Sequence, residues 1–411
     1  MGGLKNILLA LVPIVSLIAA VPTSDVGSQL NYVPKSYIIQ FKEDVDVAAH
    51  AQWARSVHTR NLSRYRKRAL PEGLDGVKTI FRQFRGYIGD FDDLTIEEIR
   101  AHPNVSYVEQ DEVFEAFQIP SGSVSDVQSP VTQANATWGL SLISHRDLGA
   151  TDYIYDASAG EGHYAYVLDS GINVDHVDFG GRASLGYNAL NSQDHVDDTG
   201  HGTHVAGTIG STTYGVAKKC NLVSVKISNA TNWSFSALID GMDWALNDMI
   251  VNNRTEKSVV NVSGGGPTST AVNNAVLAAY RKGMTLVAAA GNGNRVSTWI
   301  SPAGANGAIA VASVDRERRR AALSNYGPGI SVFAPGEDTL STWIGSDTAT
   351  HVTNGTSMAS PHVAGVVLYL QKLEGLSTPD AVRARLEELA IKDVVQDAQN
   401  SPNRLLYTGA A

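Results

Sequence analysis

The chain has 411 residues, of which 43% are hydrophobic and 18% charged, with a formal net charge of -9 and a pI near 5.6. This is the balance of a soluble globular protein longer than one ordinary domain. Its acidity gives no general attraction to nucleic-acid phosphates or anionic membranes, so neither is expected as a partner. A single cysteine, Cys220, excludes an intramolecular disulfide, and a core of this size does not require one.

Lys5 precedes an apolar run from Ile7 to Ala20, broken by Pro13. At about 14 residues the run is too short to span a bilayer and fits a secretory signal peptide over residues 1–20, although Ile18 is bulky for the cleavage site. Ser36–Lys42 then reads as a strand, Val47–Arg60 as a helix, and Val77–Phe84 and Gly86–Phe91 as strands. A helix opened by the capping box Thr95–Glu98 and the strand Val105–Glu109 complete a β-α-β-β-α-β order. That order describes a small ferredoxin-like α+β domain over residues 36–118. The basic run Arg64-Tyr-Arg-Lys-Arg68 is a solvated helix face or a processing site. Residues 119–131 are polar and rich in Gly, Ser and Pro, a linker that can be cut without disturbing a core.

From about Thr132 to the C-terminus, strands at Tyr164–Leu168, Leu222–Ile227, Val259–Val262, Thr285–Ala290 and Ile309–Val314 alternate with helices near 202–210, 236–251, 270–282 and 357–373. The alternation predicts an α/β domain, a parallel sheet with helices on both faces and chemistry at the carboxyl ends of its strands.

Three Gly-flanked positions at those edges carry chemistry. Asp169 ends the first strand of the set, before Ser170-Gly171; alone it reads as a turn former. His201 lies in Gly200-His-Gly-Thr-His204, where glycines let backbone approach closely at a helix start. His201 and His204 are spaced for zinc, but the glutamate of an HExxH motif is absent and Cys220 is no convincing third ligand. His204 is therefore given a structural role and Cys220 is read as a packed residue at a strand entrance. Ser357, in Gly355-Thr-Ser-Met-Ala, opens an apolar helix whose Pro361 is expected within the tolerant first turn; a plain N-cap is the alternative. Together the three supply a nucleophile, a base and a carboxylate to orient it, the set an acyl-transfer enzyme needs. Asn292, after Ala288-Ala-Ala-Gly291, is placed to offer its amide to an oxyanion alongside the backbone N–H of Ser357, or simply to form a turn.

The stretches Tyr166-Val-Leu-Asp-Ser-Gly-Ile, Gly200-His-Gly-Thr-His-Val-Ala-Gly-Thr, Ser324-Asn-Tyr-Gly and Gly355-Thr-Ser-Met-Ala-Ser-Pro-His-Val-Ala-Gly resemble the subtilase family. The likeness is to its proteinase K branch, as in secreted fungal and dermatophyte proteases. The resemblance runs from Trp138-Gly-Leu to the C-terminus and implies a catalytic domain over residues 132–411 with an Asp169, His201, Ser357 triad in the order found in subtilisins. Residues 36–118 resemble the family's inhibitory propeptide. It implies a secreted serine endopeptidase made as a zymogen, released by self-cleavage between about Phe117 and Val131. The expected substrates are extracellular proteins, cut with broad specificity, structural proteins such as keratin included, and the chain is expected to be a monomer. A catalytically inactive binding or antigenic protein on the same fold is the alternative.

The resemblance also implies that substrate binds as an added strand between Trp233-Ser-Phe235 and Ser263-Gly-Gly-Gly266. Gly264 replaces a customary leucine there and Trp233 a customary glycine. Either the indole compensates for the missing leucine, or Trp233 is a surface residue beside a wider cleft. No cofactor is implied for catalysis. A structural calcium is implied, held by an aspartate just before Val332, but Ser331 stands there and a hydroxyl replaces a carboxylate poorly, so the site is expected to be weakened or absent. Glycosylation triplets occur at Asn61, Asn104, Asn135, Asn229, Asn232, Asn253, Asn261 and Asn354. Asn253, in a hydrophilic run, is the favoured acceptor, while Asn261 is disfavoured by its place in a core strand and Asn354 because a glycan there would crowd Ser357.

Overall fold

The computed structural model describes residues 32–63, 73–116, 119–121, 132–190, 194–230 and 233–409. The expected signal peptide, the basic run at 64–68, nearly all of the linker and Asn232 lie outside these residues.

The N-terminal elements are β1 (Tyr32–Phe41), α1 (Val47–Leu62), β2 (Gly76–Ile80), β3 (Gly86–Asp90), α2 (Asp93–Arg100) and β4 (Val105–Ala116). Their antiparallel sheet has the order β4-β1-β3-β2. Alternation along β1 explains why one strand serves two cores. Ile39 packs with Ala51, Ala54, Tyr87, Ile96 and Ile99 against α1 and α2. Ile38 faces the other way and joins Phe81, Phe84 and Ile88 against Leu238 and Met242 of the helix Phe235–Val251. Contrary to the expected capping box at Thr95, α2 is capped by Asp92, whose Oδ1 accepts from the N–H groups of Leu94 and Thr95. Thr95 is inside the helix because Asp92 reaches the orphan donors one turn earlier.

The larger part is built on a nine-stranded sheet, in the order Ile391–Lys392, Arg404–Leu405, Val332–Pro335, Ala308–Val314, Leu286–Ala289, Ser258–Val262, Tyr164–Asp169, Asn221–Lys226 and Ala183–Asn188. All neighbours run parallel except the first pair. Tyr166 and Leu168 face a core shared with the helices Phe235–Val251 and Thr270–Arg281. Ala165 and Val167 face the opposite core, under the helices His201–Gly210, Thr356–Glu374 and Pro379–Leu389. Helices therefore cover both faces, as the parallel strands require. The helix Thr356–Glu374 is buried on every side along most of its length, which fits its apolar composition.

Candidate active site

Asp169 ends the strand Tyr164–Asp169, inside the parallel sheet between Asn221–Lys226 and Ser258–Val262. His201 is the first residue of its helix, and the glycines beside it are required by contact. Gly200 has φ +85°, and a Cβ there would meet the Trp343 ring at 2.4 Å; a Cβ on Gly202 would sit 2.1 Å from the carbonyl oxygen of Gly171. This close approach sets His201 Nδ1 2.7 Å from Asp169 Oδ1, with both side chains buried. The pairing fixes the tautomer, with the proton on Nδ1 and the lone pair on Nε2. Burial works against the imidazolium, but the Asp169 charge, the Asp169 hydrogen bond and the Asp197 carboxylate outweigh it and hold His201 above its ordinary 6.5.

Asp197 was not distinguished in the sequence, where it is one of two adjacent aspartates in a polar loop. Its Oδ1 accepts from Ser170 Oγ (2.8 Å) and from the N–H of Gly200 (2.9 Å), and its Oδ2 from the N–H (2.8 Å) and Oγ1 (2.6 Å) of Thr203. It thus satisfies donors at the start of the His201 helix and ties them to Ser170, the residue after Asp169.

Ser357 is the second residue of its helix, after Gly355 at φ 129°. Pro361 is the sixth, so it lies beyond the first turn, contrary to the expectation. Its missing N–H is the one that would reach the carbonyl of Ser357. That carbonyl instead accepts from Ser263 Oγ at 2.9 Å, so the proline is tolerated through a partner supplied by another strand end. The Ser357 hydroxyl donates to the backbone oxygen of Ser263 at 2.6 Å. His201 Nε2 has no hydrogen-bond partner among the described residues. Asn292 Oδ1 accepts from the N–H (3.0 Å) and Oγ1 (2.9 Å) of Thr356, which in turn accepts from Gly291 N–H at 3.0 Å. With its oxygen held on Thr356, the amide presents its nitrogen, the donor end, away from that residue.

Between these residues runs a strand of the chain itself. β4 pairs antiparallel with Trp233–Ser234 on one side, where Trp233 faces Phe114 and Ser234 faces Val113, and with Gly264–Pro267 on the other, where Gly264 faces Ala116 and Gly265 faces Glu115. A short strand β5 (Ile119–Ser121) then pairs with Thr350–Asn354, with Ile119 opposite Asn354. The chain thus crosses from the strand beside Ser263 to the strand that leads into Gly355 and Ser357. Of the remaining positions expected to bind substrate, Gly266 pairs onward with Ser301. Phe235 opens the helix Phe235–Val251 and is wholly buried in the core, so it supports Trp233 and Ser234 from below. With β4 in place Trp233 is 6% exposed, and its ring reaches across the cleft, where a Cβ on Gly264 would lie 2.5 Å from its ring carbon Cζ3.

Carboxylates fasten the N-terminal domain over this cleft. Asp243, on the helix Phe235–Val251, accepts from the backbone N–H groups of Arg82 (2.7 Å), Gln83 (2.5 Å) and Phe84 (3.1 Å). Asp111 accepts from Ser236 N–H at 3.0 Å, and Glu109 from Ala271 N–H at 3.1 Å and from the Ser269 hydroxyl. Both sit at N-termini of helices flanking the cleft, where orphan N–H groups and the helix dipole favour negative charge.

His204 lies with Nε2 3.0 Å from the backbone oxygen of Thr339 and 3.2 Å from that of His351, and burial pushes it down to about 3. It is a neutral donor joining the helix to the hairpin Thr339–Asn354. Burial pushes the Cys220 thiol up to about 12, which makes it inert packing. Among the described residues no group of three or more His, Cys, Asp or Glu side chains is arranged to hold a metal. The Ser331 hydroxyl accepts from Ala310 N–H at 3.2 Å; a neutral oxygen engaged at a strand edge does not fit the carboxylate that a calcium ion requires there. Asn253, Asn104 and Asn135 are exposed. Asn61 is fully buried, with Nδ2 donating to Thr95 and Glu98, and Asn229 is also buried. The nitrogen a glycan would take is thus engaged inside the fold at Asn61, which corrects the sequence expectation at that position.

Residues 160–407 match the subtilase family (peptidase S8), and residues 36–117 match the peptidase inhibitor I9 family. Alkaline protease 1 of Aspergillus oryzae is 46% identical over 416 residues, covering 100% of both chains. Alkaline proteinase of Hapsidospora chrysogena is 46% identical over 95% of each chain, and subtilisin-like proteinase Mp1 of Magnaporthiopsis poae is 42% identical over 100% of this chain and 99% of its own. The solved structure of a cold-adapted subtilisin-like serine proteinase is similar with a TM-score of 0.63 and 39% identity, covering 68% of this chain and all of the other. With half the chain and more inside one family, and relatives matched from end to end, the chain belongs to the subtilase family of serine endopeptidases and carries that family's I9 inhibitor propeptide.

Proposed function

We propose that this chain is a secreted subtilisin-like endopeptidase, made as a preproenzyme, that hydrolyses extracellular proteins with broad specificity. Ser357 Oγ attacks the scissile carbonyl carbon and His201 Nε2 takes its proton. The same imidazolium then gives the proton to the leaving amine, while Asp169 holds the ring and stabilises its charge. The Asn292 amide and the Ser357 N–H, at a helix N-terminus, stabilise the oxyanion. Water deacylates the enzyme by the same proton transfers in reverse.

One observation carries this reading. Residues 113–116 are laid as an added strand between 233–234 and 264–265, beside Ser357 and the buried Asp169–His201 pair. This is how an extended peptide is held when main-chain bonds supply most of the affinity, and such binding tolerates many sequences. The site is occupied and at rest, with the Ser357 hydroxyl on Ser263; release of the propeptide lets it turn to His201 Nε2. Secretion is supported by the apolar leader over residues 1–20, and glycosylation at Asn253 by that residue's exposure. Maturation falls between about Phe117 and Val131, of which only residues 119–121 are described.

The test is processing on secretion. Expressed with its own leader, the wild-type chain should reach the medium shortened by its N-terminal domain, and Ser357→Ala should accumulate with that domain still attached. Identical processing of both would show that another protease does the cutting and would refute self-maturation.

A further inference from the structure

We infer that Trp233 sets the substrate preference of this cleft, selecting peptides with a small residue opposite Gly264 and a large apolar residue two positions earlier, opposite Trp233. The inference rests on the reading of the cleft as a peptidase site. Its basis is a cross-strand contact that spans the bound peptide. Trp233 and Gly264 belong to strands on opposite sides of β4, so their backbones are not neighbours. Yet the six-membered ring of Trp233 lies directly over Gly264: a Cβ there would be 2.5 Å from Cζ3, 2.9 Å from Cε3 and 3.1 Å from Cη2. The indole therefore reaches from its own strand, beneath the peptide, to the far wall. The same indole meets the His201 ring edge-on, at 5.9 Å between centroids and 81° between planes.

The register determines which substrate residues meet this floor. Directly opposed residues of an antiparallel pair share a face, as do residues two apart on one strand. A substrate strand lying where β4 lies places one side chain at the position of residue 116, opposite Gly264, and another at the position of residue 114, opposite Trp233. Both point toward the indole. At the first position the ring occupies the space into which a longer side chain would extend, so a methyl group fits and a branched chain meets overpacking. At the second the partner is the indole itself, and cross-strand aromatic and apolar pairs are favoured. The chain's own sequence at these positions is Phe114 and Ala116, one large and apolar, the other small.

The experiment uses mature enzyme and a panel of fluorogenic peptides that vary only at these two positions, comparing wild type with Trp233→Gly and Trp233→Phe. In the wild type, kcat/KM for Ala over Leu at the position opposite Gly264 should be about tenfold or more, the range of one or two methylenes in a hydrophobic pocket. Phe should exceed Gly at the other position by a similar factor. Trp233→Gly should bring both ratios to within about threefold of unity, with Trp233→Phe intermediate; the milder variant carries the test if the glycine variant does not fold. Gly264→Leu should lose activity when Trp233 is present and regain it, with discrimination against Leu restored, when combined with Trp233→Gly. Ratios unchanged within twofold in an active Trp233 variant overturn this proposal and leave the peptidase reading intact. A wild-type protein that cleaves no member of the panel overturns both.

Discussion

Asp243 is the group on which the grip of the propeptide can be measured. Its carboxylate accepts from three consecutive backbone N–H groups, those of Arg82, Gln83 and Phe84. Bonds to a charged acceptor are worth about 1.5–3 kcal/mol each. The same amides bond to water in the free propeptide, and Arg82 stays exposed in the complex, so the three do not add. A total of about 2–4 kcal/mol is reasonable for the set, and Asp243→Ala should raise the inhibition constant of the propeptide by roughly 30- to 900-fold. The assay adds separately produced propeptide to mature enzyme and follows turnover of a fluorogenic peptide. If the isolated propeptide folds only on binding, that cost is common to both enzymes and cancels in the ratio. Turnover without inhibitor should be nearly unchanged, because Asp243 lies on the helix flanking the cleft and touches none of the proposed reacting groups. A change below threefold would refute the claim that this carboxylate anchors the inhibitor.

Asp169→Asn should cost about 10⁴-fold in kcat, a magnitude taken from another serine protease, because an amide no longer enforces the proton on Nδ1. His201 is the proposed base, and against its burial the Asp169 carboxylate holds its pKa above 6.5. Activity should therefore fall as pH drops through a value above 6.5, and Asp169→Asn should move that limb to lower pH; an unmoved limb in a pH profile contradicts the assignment. Asn292→Ala should lower kcat by about 100- to 1000-fold with little change in KM, a range measured in a subtilisin, which is a relative of this chain. Gly202→Ala should give a poorly folded protein, visible as a lowered melting temperature, since the added carbon would sit 2.1 Å from the carbonyl oxygen of Gly171. His204 and His362 are buried and held down to about 3 and about 4. The unfolded chain takes up their protons below 6.5 while the folded chain does not, so stability present above 6.5 is lost as pH falls toward 4, at up to about 1.4 kcal/mol per pH unit for each histidine. Replacing His204 by Gln should flatten that decline in a melting series.

The residues that make the site legible in sequence are those whose partners restrict local backbone. Gly200 and Gly202 flank His201 because bulk is forbidden there by Trp343 and by the carbonyl of Gly171, and Gly355 precedes Ser357 because its φ is 129°. Short continuous apolar runs likewise mark the central strands, which are buried on both faces. Other features depend on distant partners. The role of Asp243 comes from amides some 160 residues earlier, and nothing near it in sequence marks it. Pro361 is read as a first-turn proline until Ser263 is seen to satisfy the carbonyl it leaves without a donor. The edge strand Ala183–Asn188 is missed because its Ala-Ser-Leu-Gly-Tyr-Asn is half exposed with no alternation. The exchange at Trp233 and Gly264 shows in sequence as two departures from a pattern; only contact across the cleft makes them one feature.

The central claim is that Ser357 is the nucleophile, activated by His201. The direct measurement is to treat mature protein with a serine-directed fluorophosphonate and map the adduct by mass spectrometry. One adduct is expected, on the peptide containing Ser357, formed in step with loss of peptidase activity, absent in Ser357→Ala and slowed in the Asp169→Asn variant. Labelling elsewhere, or peptidase activity that survives Ser357→Ala, would contradict it.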